Sequence, residues 1–123
     1  MAAELGAAIE RAGEAGVTPD RIVVDPGIGF AKRAEHSFEI LARLETLAAL
    51  GRPILAGPSR KSFMKLALGE RPPDGRDWGT AAAVTAAVLG GAHIVRVHAV
   101  REMADAARVA DRIRAAAVKL FPE

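Results

Sequence analysis

The sequence predicts an α/β fold built from parallel βα units. Three short apolar runs are each typical of a buried strand: RIVVD (21–25), PILAG (53–57) and AHIVRVH (92–98). The segments between and around them carry apolar residues at helical spacing. Strands that alternate with helices in this way favour a parallel sheet with right-handed crossover connections.

The first half of the chain begins with a predicted helix. Residues 3–15 are alanine-rich, and Gly16 then offers a stop. The first strand ends in DPGIGF (25–30), where a proline and two glycines forbid further regular structure. A second helix follows and closes at Gly51. We expect its inward residues to be Phe38, Leu41, Leu44, Leu47 and Ala48.

The second half repeats the alternation. A helix over 59–68 is expected to begin almost on the last residue of the second strand, and 69–77 is a loop by its Pro, Gly and Asp content. Helices over 78–90 and 100–118 flank the third strand. We expect the inward residues of the last helix to be Met103, Ala106, Val109, Ile113 and Ala117.

Three parallel strands cannot close into a barrel, and their two edges would present unpaired backbone groups. A TIM (β/α)8 barrel needs eight such units over about 250 residues, with functional residues at the carboxyl ends of the strands. A dinucleotide-binding sheet is disfavoured because GIGF (27–30) lacks a third glycine at the right offset before a helix. We therefore predict that residues 1–123 form one partial TIM-barrel domain.

The composition limits the function. The chain has 123 residues, no cysteine and a net charge of +2, so disulfides and thiolate metal sites are excluded and a cytoplasmic location is expected. No apolar run approaches the roughly 18 residues of a membrane span, so no membrane partner is expected. Cations and acids alternate and aromatic residues make up only 4%, which disfavours nucleic-acid binding.

Each predicted strand ends in polar residues suited to one pocket. Residues two apart on a strand share a face, so Arg96 and His98 point the same way. Asp25 ends the first strand, and Ser59 and Lys61 follow the second. A carboxylate, an ammonium and a guanidinium at one rim suit a flat, amide-like heterocycle that bears phosphate. A helix beginning near Ser59 would add free N–H groups for an anion.

Each of these residues also has a simpler interpretation. Asp25 could serve only as a turn former before Pro and Gly. Ser59 is equally suited to capping a helix. Arg60 and Lys61 could be ordinary surface charges. A simpler interpretation is harder to give for Arg96 and His98. A polar group in an apolar strand carries a desolvation cost unless it has a partner or faces a wet pocket.

With these residues placed, the chain resembles the C-terminal half of the dihydropteroate synthase family. Four segments stand in the family's order and spacing: DPGIGF (25–30), GPSRKSF (57–63), RDWGTAAAV (76–84) and GAHIVRVH (91–98). The resemblance implies a TIM barrel that joins hydroxymethyl-dihydropterin diphosphate to para-aminobenzoate with loss of diphosphate, aided by Mg²⁺.

The resemblance also implies a role for each matching residue. Asp25 and Lys61 should bind the pterin, Arg96 should stack over it and reach the diphosphate, and His98 should bind the diphosphate. Lys61, Arg96 and His98 are thus the expected catalytic residues. The pocket for para-aminobenzoate and sulfonamides should be lined by Gly29, Phe30, Ser59 and Arg60.

The chain departs from the family at a few positions. Ala31, Lys32 and Arg33 stand where Gly-Lys-Thr is usual, Ser37 replaces an asparagine, and Ala99 replaces an aspartate. The magnesium ligand and two mobile loops belong to the family's N-terminal half, so the metal ligand is expected outside this chain. Alone, the chain should be inactive, with the other half of the barrel or a homo-oligomer partner completing it.

Two alternatives stay open at this point. One is a fragment of a methyltetrahydrofolate-type pterin methyltransferase, which would bind no departing diphosphate. The other is a truncated, non-catalytic module for pterin binding or assembly, with its exposed sheet edges paired to a partner.

Overall fold

The computed structural model describes residues 1–30 and 33–120, with side chains to Ala117. In chain order, the helices and strands are α1 (Ala2–Glu14), α2 (Ala34–Ala42), β1 (Leu55–Ala56), α3 (Lys65–Leu68), α4 (Asp77–Leu89), β2 (Ile94–Val95) and α5 (Val100–Leu120). Turns of 3₁₀ helix lie at Pro19–Arg21, Leu44–Leu50, Ser62–Met64 and Pro73–Arg76. The predicted alternation of strands and helices is confirmed.

Three chain segments form the parallel sheet, and β1 lies in the middle. Val24 makes a parallel bridge to Ile54 on one side of β1. The Val24 N–H donates to the carbonyl of Pro53 at 2.9 Å. On the other side, β1 pairs with β2 in the register Leu55↔Ile94 and Ala56↔Val95. The neighbouring parallel pairs are those expected for successive βα units.

The first strand is much shorter than the predicted 21–25. Arg21 ends a 3₁₀ turn, and Val24 alone forms a bridge. Successive residues of a strand direct their backbone groups to opposite edges. Val23 and Asp25 therefore face an edge with which no described residue pairs. The predicted length is wrong because extended backbone counts as a strand only where a neighbour supplies a ladder.

The two faces of this sheet are covered very differently. Val24, Ile54 and Ala56 point toward the helices and are 3%, 1% and 0% exposed. Val23 and Ile94 lie on the opposite face and are 45% and 43% exposed. That opposite face corresponds to the interior of a TIM barrel, which here is open.

The segment after α2 tightens into a 3₁₀ helix. Leu41 in the last turn of α2 is buried, as are Leu44 and Leu47 within the 3₁₀ helix. The spacing of Leu44 and Leu47 matches the three residues per turn of this helix type. Ala48, expected to point inward, is exposed instead. Gly51 ends the segment in the left-handed conformation, with φ at 69°, as its position predicted.

The last helix buries a narrower face than predicted. Met103 is buried as expected, but Val109 and Ile113 are 62% and 52% exposed, and Ala117 is also exposed. Ala110 is buried instead. The reason is that α5 packs chiefly on α4, which leaves Val109 and Ile113 in contact with solvent. No described helix, α5 included, is both long and apolar enough to cross a bilayer.

The helix predicted over 59–68 begins later. The chain turns through Arg60, whose φ is +58°, before the 3₁₀ turn at Ser62–Met64 and the short α3. The left-handed Arg60 prevents a helix from starting at Ser59, because a right-handed helix requires negative φ at each residue. This turn shapes the candidate site.

Candidate active site

A cavity of about 500 Å³ opens at the carboxyl ends of the three strand segments. Its volume lies within the range of small-molecule sites. Seven of the eight residues predicted for the site line it. Among the described residues, the lining consists of Asp25, Ile28, Phe30, Leu55, Gly57, Ser59, Arg60, Lys61, Pro73, Arg96, Val97 and His98. The structure thus brings together side chains from all three strand ends, and only Gly29 of the predicted set lies behind the lining.

The carboxylate of Asp25 has two functions in the geometry. Its Oδ1 accepts a hydrogen bond from the Gly27 N–H at 2.8 Å, which holds the turn after the first strand. The side chain also lines the cavity. The turn-former interpretation and the site interpretation are therefore compatible.

Lys61 lies across a glycine and over an aromatic ring. Its Nζ sits 3.6 Å from the ring centroid of Phe30, a cation–π contact. A Cβ on Gly29 would lie 3.0 Å from Cδ of Lys61, and Gly29 has a φ of +84°. Gly29 therefore leaves room for the lysine stem. Lys61 is not the plain surface charge of the simpler interpretation.

A buried hydroxyl supports that glycine from behind. The Gly29 N–H donates to Oγ of Ser37 at 3.1 Å, and Ser37 is 0% exposed. Ser37 stands at the position where the family usually has asparagine. Its hydroxyl supplies the acceptor that the glycine turn needs. Of the other departures in this segment, Ala31 and Lys32 lie outside the described residues, and Arg33 directly precedes α2.

Ser59 joins two strand ends instead of capping a helix. Its Oγ accepts the backbone N–H of His98 at 3.1 Å and lies 2.7 Å from Nδ1 of the same residue. Because Oγ already accepts the backbone N–H, its own hydrogen is free to point to Nδ1. Because a hydroxyl oxygen has two lone pairs, Oγ can also accept from Nδ1, so the contact fits either tautomer of His98. The predicted helix N-terminus at Ser59, and the anion site built on it, are wrong because the helical turns begin at Ser62.

Arg60 is held by an ion pair that the sequence interpretation did not foresee. Its Nε and Nη2 donate to the two carboxylate oxygens of Asp77 at 2.9 and 3.2 Å. The hydrogen bond from Arg60 lowers the pKa of Asp77 below its ordinary value, and the same bond raises the pKa of Arg60. Arg60 also lines the cavity, but its Nε and Nη2 are already bound to Asp77.

Arg96 points into the cavity as the strand alternation predicted. Its backbone N–H donates to the Ala56 carbonyl at 3.0 Å, which continues the ladder beyond β2. Val97 between Arg96 and His98 packs against the cluster formed by α4 and α5, and part of it also lines the cavity. Ala99, where the family has aspartate, also packs against that cluster.

The described residues do not fit a magnesium centre. Among residues 1–30 and 33–120, no three His, Cys, Asp or Glu side chains lie close enough to share an ion. Asp25 is the cavity's one carboxylate within that part of the chain. A hard cation prefers several oxygen ligands, and this wall of the cavity does not assemble them.

The family is decided by a profile match over most of the chain. The profile described as "Pterin binding enzyme" matches residues 1–98. This chain belongs to the family of pterin-binding enzymes. All of the residues that line the cavity lie within the matched residues 1–98.

Two similar relatives are named dihydropteroate synthase. The chain is 49% identical to the dihydropteroate synthase of Synechocystis over 107 residues, which is 87% of this chain and 37% of that protein. It is 47% identical to the dihydropteroate synthase of Mycobacterium leprae over 112 residues, 87% of this chain and 39% of that protein. The chain thus spans less than two fifths of the length of these two relatives.

The fold agrees with solved structures of dihydropteroate synthases. A dihydropteroate synthase from Coxiella burnetii, solved with pteroic acid, matches with a TM-score of 0.89 at 37% identity, over 94% of this chain and 42% of that one. A Yersinia pestis dihydropteroate synthase in a sulfonamide drug complex matches with a TM-score of 0.84 at 38% identity, over 88% and 39%. The predicted partial TIM-barrel fold is confirmed.

Sequence reasoning missed four residues that shape the site. Ser37, Arg76, Asp77 and Thr80 all bond residues of the two strand-end turns. The segment RDWGT (76–80) had stood out as a motif without a role. The signal available in the sequence was a hydroxyl and two charged side chains at the start of the helix predicted over 78–90.

Proposed function

We propose that this chain is the C-terminal portion of a dihydropteroate synthase, in which it supplies one wall of the pterin and para-aminobenzoate site. The observation that carries the proposal is the meeting of Asp25, Lys61, Arg96 and His98 at one cavity. The relatives at 47–49% identity bear that name, and one structural neighbour was solved with pteroic acid.

The chemistry of the cavity suits the substrate pair. Asp25 offers an acceptor for the amino group and ring N–H of a pterin, and Lys61 offers a donor for its ring carbonyl. Arg96 presents a planar cation that stacks on the ring and binds the diphosphate, together with a donor from His98. These groups stabilise the departing diphosphate as positive charge grows on the pterin methylene.

The second substrate needs no protein nucleophile. The neutral aniline nitrogen of para-aminobenzoate attacks the methylene as the bond to diphosphate breaks, so Ser59, which contacts His98 in the cavity, has no nucleophilic part in the reaction. We place para-aminobenzoate against Phe30, Ser59 and Arg60. A Yersinia pestis relative was solved with a sulfonamide drug, which is the ligand class expected for this pocket. Mg²⁺ belongs to the proposal as a cofactor held by residues outside this chain.

Ligand binding by the chain tests the proposed function. Pteroic acid and inorganic diphosphate are titrated separately into the isotopically labelled chain, and amide shifts are followed by NMR. Lys61→Met and Arg96→Met should each weaken binding about tenfold, because each removes a charge-assisted hydrogen bond. The matched control is Lys65→Met, an exposed lysine outside the cavity. Equal effects of Lys61→Met and Lys65→Met would overturn the site.

Catalysis by the isolated chain is a separate question. We expect no product when the chain is mixed with both substrates and Mg²⁺, because the metal ligand and the closing loops are supplied elsewhere. A chimaera that carries this chain in place of the aligned segment of the Synechocystis enzyme should regain activity. Product from the chain alone, at a rate like that of the relatives, would contradict the expectation.

The alternatives make different predictions in the same experiments. A methyltetrahydrofolate-type methyltransferase would bind the pterin without competition from diphosphate. A non-catalytic module would bind the pterin while its chimaera stayed inactive. Size measurement of the chain alone and mixed with a separately expressed N-terminal portion decides whether it assembles. A cytoplasmic location stays a prediction.

A further inference from the structure

Arg60, which separates two cavity residues, has an unfavourable backbone conformation. It is the one non-glycine residue with positive φ, at +58°, among residues 1–30 and 33–120. For an L-residue that conformation is unfavourable, because Cβ crowds the following carbonyl oxygen. It also sets the directions of Ser59 and Lys61 on either side, so what holds Arg60 also holds two walls of the cavity.

Three side chains of one segment bind the backbone N–H, the carbonyl and the guanidinium of Arg60. Its N–H donates to Oγ1 of Thr80 at 3.0 Å, and its carbonyl accepts from Nη1 of Arg76 at 2.8 Å. Its guanidinium is bound by both oxygens of Asp77. These three residues come from five consecutive positions, where a 3₁₀ turn runs into α4.

The two backbone-binding side chains are themselves fixed. Thr80 is 1% exposed and Arg76 is 7% exposed. Arg76 also donates through Nη2 to the Arg71 carbonyl at 3.1 Å, which ties a second loop to the same point. Buried polar groups of this kind are costly to leave unpaired, which favours the bonds of Thr80 and Arg76 to Arg60.

We propose that Arg76, Asp77 and Thr80 are positioning residues for the substrate cavity. None of the three lines the cavity. They act through Arg60, holding it in the left-handed conformation that lets Ser59 reach His98 and turns Lys61 over Phe30. The inference rests on the proposed function for the identity of the ligand, but not for the geometry.

The test removes the hydroxyl of Thr80 and keeps the shape of its side chain nearly unchanged. Thr80→Val removes the acceptor for the Arg60 N–H, while Thr80→Ser keeps it. Thr85→Val is the matched control, because Thr85 lies in the same helix and donates to the Ala81 carbonyl at 2.9 Å, away from Arg60. Amide hydrogen exchange is measured at Arg60, at His98 and in α4.

Thr80→Val should speed exchange at Arg60 about tenfold or more and should also speed exchange at His98, which Thr80 does not contact. Exchange in α4 should change much less, which excludes general loosening. Thr80→Ser should restore the slow exchange, and Thr85→Val should leave both amides slow. Unchanged exchange at Arg60, or a serine variant no better than valine, would overturn the positioning role.

Affinity for pteroic acid is the second readout. Thr80→Val should weaken binding several-fold with recovery in Thr80→Ser, and normal affinity despite fast exchange would also overturn the inference. If the unmodified chain does not bind pteroic acid, the proposed function fails while the exchange result still decides the geometry. Asp77→Asn, at a half-exposed position, provides a variant that folds if Thr80→Val does not, and it should speed exchange at Arg60 in the same way.

Discussion

Ser59 and His98 are joined directly although 39 residues separate them in the chain. One hydroxyl oxygen accepts the His98 backbone N–H and contacts Nδ1 of its ring. The contact ties the turn after β1 to the turn after β2. It aligns two strand ends that have no further ladder bonds at that level.

Removing this hydroxyl should cost stability in a specific place. Ser59→Ala should lower the free energy of unfolding by about 1 kcal/mol, because it removes a partly buried hydrogen bond and leaves the His98 N–H without its acceptor. Urea denaturation measures the change. Ser62→Ala is the matched control at an exposed position and should change the midpoint little. Equal effects at both positions would show that the contact contributes nothing.

Gly29 should matter for Lys61 beyond its backbone conformation. Gly29→Ala and Gly16→Ala both place a Cβ on a residue with positive φ, at +84° and +98°. Each should cost about 1 kcal/mol in stability. Only at Gly29 would the Cβ also meet Lys61, at 3.0 Å, whereas nothing lies within 4 Å at Gly16. Gly29→Ala alone should therefore weaken pteroic acid binding, measured by calorimetry. Loss of binding in both variants would contradict this.

The Arg60–Asp77 ion pair should make stability depend on acidity. The pKa of Asp77 is lowered from its ordinary 3.8 by the hydrogen bond from Arg60. Because the pKa of Asp77 is lower in the folded chain than in the unfolded chain, the ion pair contributes its full stability at pH values above the unfolded pKa. That contribution is lost as the pH falls through the folded pKa. The stability difference between the unmodified chain and Asp77→Asn should thus be constant near neutral pH and shrink below 3.8.

The exposed pair of Asp105 and Arg108 provides the control for that titration. Its atoms are 3.2 Å apart and both side chains are about three quarters exposed. Asp105→Asn should change stability little at any pH, because exposed ion pairs contribute little. A difference for Asp77→Asn that stays constant down to strong acid would refute the assigned ionisation.

The 3₁₀ segment should be a main support of the core. Leu44 is 0% exposed, so Leu44→Ala should destabilise the fold by about 2–5 kcal/mol through lost apolar contacts and a cavity. Leu66 is 62% exposed, and Leu66→Ala should cost far less. Thermal or urea unfolding compares the two. Similar losses would mean that Leu44 does not lie in the core as described.

The order of elements followed from periodicity alone. Apolar runs and helical spacing depend on neighbours a few positions away, so they are visible in the sequence. The shared direction of Arg96 and His98 was predictable for the same reason, since side chains alternate along a strand. The inward face of α5 was not, because the burial of Val109 depends on which elements pack against the helix.

The sequence by itself determined that parallel βα units carry polar residues at their strand ends, and which residues these are. Only the tertiary structure decided that Ser59 bonds His98, and that Thr80 and Asp77 hold Arg60 in a left-handed turn. The physical reason is range. Local spacing sets strands and helices, whereas hydrogen bonds between turns depend on distances that only the packed chain brings within 3 Å or so.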